Sequence, residues 1–163
     1  MATGQDLKEK FWDELEDSPF VMLGLAGVDE AHTQPMTAQF DDDLPNRIWF
    51  YTNRQNRLIK ALASSHDAVL NYASKGHHLF ASIHGTLSVD NDRAIIEKFW
   101  SPVVSAWYDK GKDDPDLAML RFEPGRAEIW RAETGDFIAL MAASLLRGNA
   151  DEAARARVAK TTF

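Results

Sequence analysis

The stretch 47–72, RIWFYTNRQNRLIKALASSHDAVLNY, constrains the fold more than any other. Ile48, Trp49, Phe50 and Tyr51 form an unbroken run of apolar, strand-favouring residues, which predicts a buried strand. Thr52-Asn53-Arg54-Gln55-Asn56-Arg57 then breaks the run with hydroxyl, amide and guanidinium groups. Leu58, Ile59, Leu62 and Ala63 recur at helical spacing, and Ala68-Val69-Leu70 resumes a strand. A polar turn between a strand and a helix N-terminus suits an anion, because free backbone N–H groups and the positive end of the helix dipole point outward there. Arg54 and Arg57 add formal charge. Most such turns bind nothing, so on these residues alone a plain connection with solvated arginines stands beside the anion pocket.

The flanks extend the pattern. Leu7, Phe11, Trp12 and Leu15 predict an amphipathic helix, with Asp6 as its cap, Glu9 at capping-box spacing and Ser18-Pro19 as its end. Phe20 to Ala26 reads as a strand buried on both faces. His32 to Phe40 is a second, less regular strand, and Pro35 assigns it to an edge or bulge, with backbone near Gln34 and Met36 open to a ligand. Asp41-Asp42-Asp43 is a solvated turn, since no Gly or bidentate Glu follows at calcium-loop spacing. Leu79 to Val89 is a long strand whose Gly85 marks a bulge, a barrel corner or a close backbone approach.

Asp90-Asn91-Asp92 caps a helix over 93–100, and an aromatic-rich segment with Val103, Val104, Trp107 and Tyr108 follows. Residues 117–122 and 127–131 read as two short strands joined by a turn at Pro124-Gly125. Residues 137–146 read as a final helix and 149–160 as a helical or frayed tail. Strands dominate the middle with helices set between them, so the fold class is α+β, a small barrel with inserted helices. The barrel domain spans 5–132, and 133–163 forms a C-terminal extension.

Several chemistries are excluded. There are no cysteines, hence no disulfide, thiolate catalysis or cysteine-held metal. A net charge of −7 argues against a broad nucleic-acid surface. No signal-peptide core and no membrane-spanning apolar run is present, which points to the cytoplasm and away from the membrane. Dinucleotide, phosphate-loop and nucleophile-elbow motifs are absent. His77-His78 chelates a metal poorly, because adjacent side chains of a strand point to opposite faces, and no metal is expected.

Four segments carry a family resemblance: WFYTN (49–53), NRLIKAL (56–62), FASIHGTLSVDNDRAIIEKFW (80–100) and WYDKGKDDPDLAMLRFEPGRAEIW (107–130). Their order and spacing resemble the general stress protein 26-like branch of the pyridoxamine 5′-phosphate oxidase-like family. The resemblance implies an FMN-binding split β-barrel and a homodimer with the flavin in a groove between subunits. It places the flavin phosphate at Tyr51, Thr52, Asn56 and Arg57, and the ring edge along Gln34, Pro35, Met36 and Thr37. His78 to Phe80 falls near the phosphate end. Trp130, with Trp107 as a second candidate, falls where the partner subunit's aromatic meets the flavin.

Two departures stand out: Gln34 replaces the family's arginine and Leu58 its lysine. Lys60 and Lys75 are the substitute cations, although Lys60 lies about 200° round a helix from Leu58. The losses imply weaker FMN binding or a preference for FAD. The implied function is a flavin-binding stress-type protein, either an oxidoreductase acting on a small acceptor or a non-catalytic carrier or sensor. Pyridoxamine 5′-phosphate oxidation is not expected, since only Arg126 and Arg131 offer a second basic site. A barrel that has lost flavin and binds haem or another planar ligand, with His77, His78 or His84 as candidate axial ligands, is the remaining alternative.

Overall fold

The computed structural model of the protein describes residues 3–28, 32–131 and 158–163. In chain order these form α1 (Gly4–Asp17), β1 (Phe20–Leu25), β2 (Gln34–Thr37), β3 (Ile48–Asn53), α2 (Arg57–Ala61), β4 (Ser65–Ala73) and β5 (Leu79–Val89). Then follow α3 (Arg93–Phe99), α4 (Pro102–Ser105), a 3-10 turn (Gly111–Asp113), β6 (Leu117–Arg131) and β7 (Val158–Thr162). The strands make one antiparallel sheet in the order β2-β1-β4-β5-β6-β3, with β7 also on β6. The two ends of this path meet through an isolated bridge, Gln39 to Trp49, with N–H···O distances of 2.7 and 2.8 Å. The sheet is thus rolled into a barrel that no continuous ladder closes, the α+β split barrel expected.

β6 explains the split. Its first half, to Phe122, pairs with β3, and from Arg126 onward β7 takes β3's place. β5 runs along its other edge throughout. Pro124-Gly125 is therefore not a turn between two strands, as the sequence suggests, but lies inside one strand of 15 residues. The register shifts there, between Ile83 and Gly85 of β5. A Cβ on Gly85 would stand 2.3 Å from the Glu123 carbonyl oxygen, so the close backbone approach read from this glycine is real.

β3 has both faces covered, which accounts for its unalternating apolar run. Ile48 and Phe50 enter the barrel core with Leu23, Leu70, Ile83 and Phe122. Trp49 turns the other way, into a second cluster with Ile96, Val104, Tyr108 and Met119 under α3 and α4. β1 differs from expectation. Only one face is buried, while Phe20 and Met22 are 66% and 40% exposed. β2 is shorter than 32–40 but lies at the sheet edge, as Pro35 requires.

α1 packs on the barrel core through Leu7, Phe11 and Leu15. Its cap is Thr3, whose hydroxyl accepts from the Asp6 amide while the Asp6 carboxylate accepts from the Thr3 amide. Asp6 is thus the third residue of the box, not the cap itself. β7 clasps this helix: the Phe163 ring lies 5.6 Å from Phe11 and 5.8 Å from Trp12, and Lys8 Nζ donates to the Thr162 carbonyl at 2.7 Å. Residues 158–162 are accordingly a strand, not the end of a helical tail. The expected helix at 137–146 and the tail up to 157 lie outside the described residues.

Candidate functional site

The turn after β3 is built largely by its own side chains. Asn53 Oδ1 accepts from the Gln55 amide at 2.7 Å, and its carbonyl accepts from the Asn56 amide at 2.8 Å. Asn56 caps α2 by accepting from the Leu58 amide at 2.9 Å. The Arg54 amide donates to the Asp116 carbonyl at 2.8 Å. These amides, expected to point outward for an anion, are therefore already satisfied. α2 is also only five residues long and stops at Ala61, so its dipole is small. Positive charge at this corner comes from side chains.

Arg57 supplies it. Its Nε donates to Gln34 Oε1 at 3.1 Å and its Nη2 to the His32 carbonyl at 3.0 Å. Gln34 Nε2 donates in turn to Asn56 Oδ1 at 3.2 Å and to Met36 Sδ at 3.3 Å. β2 and the turn, far apart in sequence, thus meet through one amide side chain that both donates and accepts. An arginine at 34 would offer donors only and would repel Arg57. Leu58, where a lysine was expected, is buried in the barrel core, and Lys60 is exposed.

The other side of the turn is held by α3, α4 and the 3-10 turn. Tyr108 is buried and its hydroxyl donates to the Thr52 carbonyl at 2.7 Å. Arg54 Nε donates to the Pro115 carbonyl at 2.7 Å. The Tyr51 hydroxyl donates to the Ile96 carbonyl at 2.6 Å, which turns it toward α3 and away from Gln34 and Arg57. Burial, with the neighbouring Tyr108 phenol, pushes Tyr51 up to about 12, and burial, with Asp114, does the same for Tyr108. Both are neutral donors throughout the physiological range. Sequence reasoning noted Tyr108 only as part of an aromatic run. Its partner lies 56 positions away, and no local signal carries that.

The remaining expected residues lie elsewhere. His78 Nε2 sits 2.7 Å from Glu14 Oε1 of α1, and Lys10 lies 3.0 Å from the same oxygen. Burial works against the charge on Glu14, but the His78 and Lys10 contacts outweigh it and hold the carboxyl below its ordinary value. His78 is therefore occupied as a brace between α1 and the start of β5. Trp107 is 80% exposed on the segment after α4.

Pro35 and Thr37 face outward from the sheet, opposite Met22 and Phe20. Pairing carries this face across the sheet from Pro35 through Met22, Asn71, Ser82 and Glu128 to Lys160. Phe80 and Trp130 pair on the same face. Four strand spacings separate β2 from β6, about 19 Å along the sheet. The structure thus joins Gln34, Met36, Asn56 and Arg57 in one corner, and sets Phe80 and Trp130 apart from them on the outward face.

Residues 6–152 match the family described as pyridoxamine 5′-phosphate oxidase like. The chain is 46% identical to the general stress FMN/FAD binding protein of Xanthomonas citri, covering 80% of this chain and 92% of that one, with a TM-score of 0.75. It is 35% identical to a general stress protein 26 from Jannaschia sp. CCS1, covering 99% and 100%, with a TM-score of 0.78. General stress protein 26 of Bacillus subtilis is 28% identical over 131 residues, covering 78% of this chain and 91% of that protein. Among the described residues, no helix is long and apolar enough to cross a membrane.

Proposed function

Starting from the fact that the chain belongs to the pyridoxamine 5′-phosphate oxidase-like family, we propose that it binds a flavin, FMN or FAD, at the corner where β2 meets the turn after β3. The observation that carries the reading is the Gln34–Asn56–Arg57 hydrogen-bond chain, which fixes a guanidinium beside the exposed edge of β2. The residues present fit a flavin phosphate. Of the five N–H donors of Arg57, two are spent on Gln34 and the His32 carbonyl, which leaves three for phosphate oxygens. Gln34 does not replace the family's arginine as a charge; it aims Arg57. With Leu58 in the core, no lysine charge stands at that position, and Arg54 and Lys60 are the exposed cations nearest in sequence to Arg57. The relative from Xanthomonas citri, described as binding FMN/FAD, supports the same reading at 46% identity.

The site is completed by a second copy of the chain. Trp130 lies on the outward face of β6, four strands along the sheet from β2 of its own chain. The partner's Trp130 is the one that meets the flavin, and exposed Phe20 and Met22 lie on the face that a homodimer would cover. When bound, the flavin supplies two-electron chemistry for reducing a small acceptor, while the protein supplies position and electrostatics.

The absorbance spectrum of the purified protein, followed by titration with FMN and FAD, tests the binding. Flavin bands or a rise in melting temperature on adding flavin are expected. Colourless protein that neither flavin stabilises refutes it. Reduction of the bound flavin by a nicotinamide nucleotide, with reoxidation by an added acceptor, tests the redox role. Phe20→Glu is expected to shift the protein to monomer in sedimentation and to weaken flavin binding together.

A further inference from the structure

A pocket of about 290 Å³ lies where the turn after β3 meets α3 and the 3-10 turn. Arg54 comes from the turn, Asn91 from the loop before α3, Arg93 and Ile96 from α3, Lys112 from the 3-10 turn and Leu117 from the start of β6. The lining shares no residue with the flavin corner at Gln34, Asn56 and Arg57. Nor does it include Phe20, Met22 or Trp130 of the face that a partner subunit would cover. The volume falls just below the roughly 300–1,000 Å³ of drug-sized ligands, so it suits a compact one.

Contacts between distant segments set its walls. Arg54 Nε donates to the Pro115 carbonyl at 2.7 Å, and Arg93 Nη1 donates to the Lys112 carbonyl at 3.2 Å. Asn91 Oδ1 accepts from the Met119 amide at 2.9 Å, which fixes the side-chain amide and leaves its Nδ2 unused. The two carboxylates of the lining are already engaged. Asp113 pairs with Arg93 at 2.7 Å. Asp114 accepts from the Asp116 amide at 2.9 Å and from the Lys110 amide at 3.1 Å, and these bonds hold its carboxyl below the ordinary range. What is left over is all donor. Arg54 Nη1 and Nη2, Arg93 Nη2, Lys112 Nζ and Asn91 Nδ2 have no hydrogen-bond partner among the described residues. Three cations thus meet two occupied carboxylates, in a chain whose net charge is −7. Such a local reversal of sign favours an anion. A guanidinium fork fits an oxyanion in particular, and the Nη pair of Arg54 is the unused end of one. Ile96 and Leu117, both buried, supply an apolar floor, where a charge-assisted hydrogen bond is stronger than in water.

We infer that this pocket binds a phosphate group, free or at the end of a small ester, between Arg54, Arg93 and Lys112, with Asn91 as a neutral donor. The inference goes beyond the flavin reading and does not rest on it. The flavin phosphate belongs to Arg57, whereas binding here needs neither a flavin nor a second copy of the chain.

Calorimetric titration of the full-length protein with orthophosphate, glycerol 3-phosphate and glycerol, at one ionic strength, provides the test. Arg57→Ala serves as the background, so that the flavin corner cannot supply the signal. At least one of the two phosphates is expected to bind about 10-fold or more tightly than glycerol, and the tighter one identifies the source. Arg54→Ala is expected to weaken it by about 10-fold. Asn91→Asp keeps an acceptor for the Met119 amide and turns the unused donor into a negative charge, so it is expected to abolish binding. Asp113→Asn removes a competing carboxylate and is expected to tighten it. Lys112→Ala has no side-chain hydrogen bond to lose among the described residues, and it is expected to weaken phosphate several-fold with the fold intact. It keeps the test decisive if circular dichroism shows that Arg54→Ala or Asn91→Asp disturbs the structure. With Arg57 restored, Asn91→Asp is expected to leave FMN affinity unchanged. Phosphates that bind no better than glycerol, binding indifferent to Lys112→Ala and Asn91→Asp, or an equal loss of phosphate and FMN in Asn91→Asp overturns the inference. Colourless protein that neither flavin stabilises, but that binds phosphate in this way, removes the flavin reading and upholds this one.

Discussion

Arg57→Ala separates phosphate recognition from everything else at the corner. In the wild type, Arg57 spends Nε on Gln34 at 3.1 Å and Nη2 on the His32 carbonyl at 3.0 Å, and its other donors have no hydrogen-bond partner among the described residues. Hydrogen bonds to a charged group contribute about 1.5–3 kcal/mol. Arg57 is exposed, which favours the low end. At about 1.4 kcal/mol per factor of ten, the substitution weakens FMN by roughly 10-fold. Riboflavin has the same ring and no phosphate, so its affinity is expected to stay within about twofold, the usual range of a surface change. Gln34→Ala keeps the charge but removes its aim, and the loss of neutral hydrogen bonds predicts a few-fold weakening of FMN. Lys60→Ala, with no side-chain hydrogen bond or ion pair among the described residues to lose, is expected to change little. Fluorescence titration of both flavins against all four proteins provides the measurement. If Arg57→Ala weakens riboflavin as much as FMN, the guanidinium is holding the corner together and not the phosphate, and the assignment fails.

Three further predictions concern the frame. Gly85→Ala places a methyl 2.3 Å from a backbone carbonyl, which cannot give way without disturbing the β5–β6 ladder; a loss of about 2–4 kcal/mol in urea unfolding is expected, and a loss within 0.5 kcal/mol would contradict the close approach. Tyr108→Phe removes the hydroxyl that donates to the Thr52 carbonyl and is expected to cost about 1 kcal/mol and to weaken FMN, with melting temperature and flavin titration as readouts. Glu14→Gln tests the α1 brace. Because the folded carboxyl titrates below its ordinary value, its stabilisation is present above about pH 4.3 and disappears as pH falls through the lowered value. The stability gap between wild type and Glu14→Gln is therefore expected at pH 6 and to close well below pH 4, and a gap that persists at low pH would assign the effect to packing.

The fold was legible where local chemistry and tertiary role agree. The strand, turn and helix of 48–61 follow from an apolar run and its polar break; Pro35 pointed to an edge or bulge because it lacks the N–H a ladder needs, and Gly85 to a bulge, a barrel corner or a close backbone approach because it lacks a side chain. Pro124-Gly125 misled for the same reason. Locally the pair is a turn signal, and only its partner strand, with Gly85 opposite, makes it a bulge within β6. Phe20 and Met22 look like core in sequence because nothing local distinguishes a covered face from an exposed one. At the site, the residues of the corner were legible, but their division of labour was not. The satisfied amides, the aiming role of Gln34 and the donor from Tyr108 are long-range contacts, and a hydrogen bond across dozens of residues leaves no period in the sequence.

The clasp between α1 and β7 sets a timetable for synthesis. Phe11 and Trp12 are synthesised well before the ring that packs on both, Phe163, which follows on the order of ten seconds later. For that interval the helix has part of its apolar face uncovered, and closing the clasp joins residues far apart in sequence, the kind of contact that folds slowly. A nascent chain halted before residue 158 would hold every strand from β1 to β6 and still lack the piece that latches its first helix. Its aromatic pair would remain available to chaperones for as long as the halt lasted.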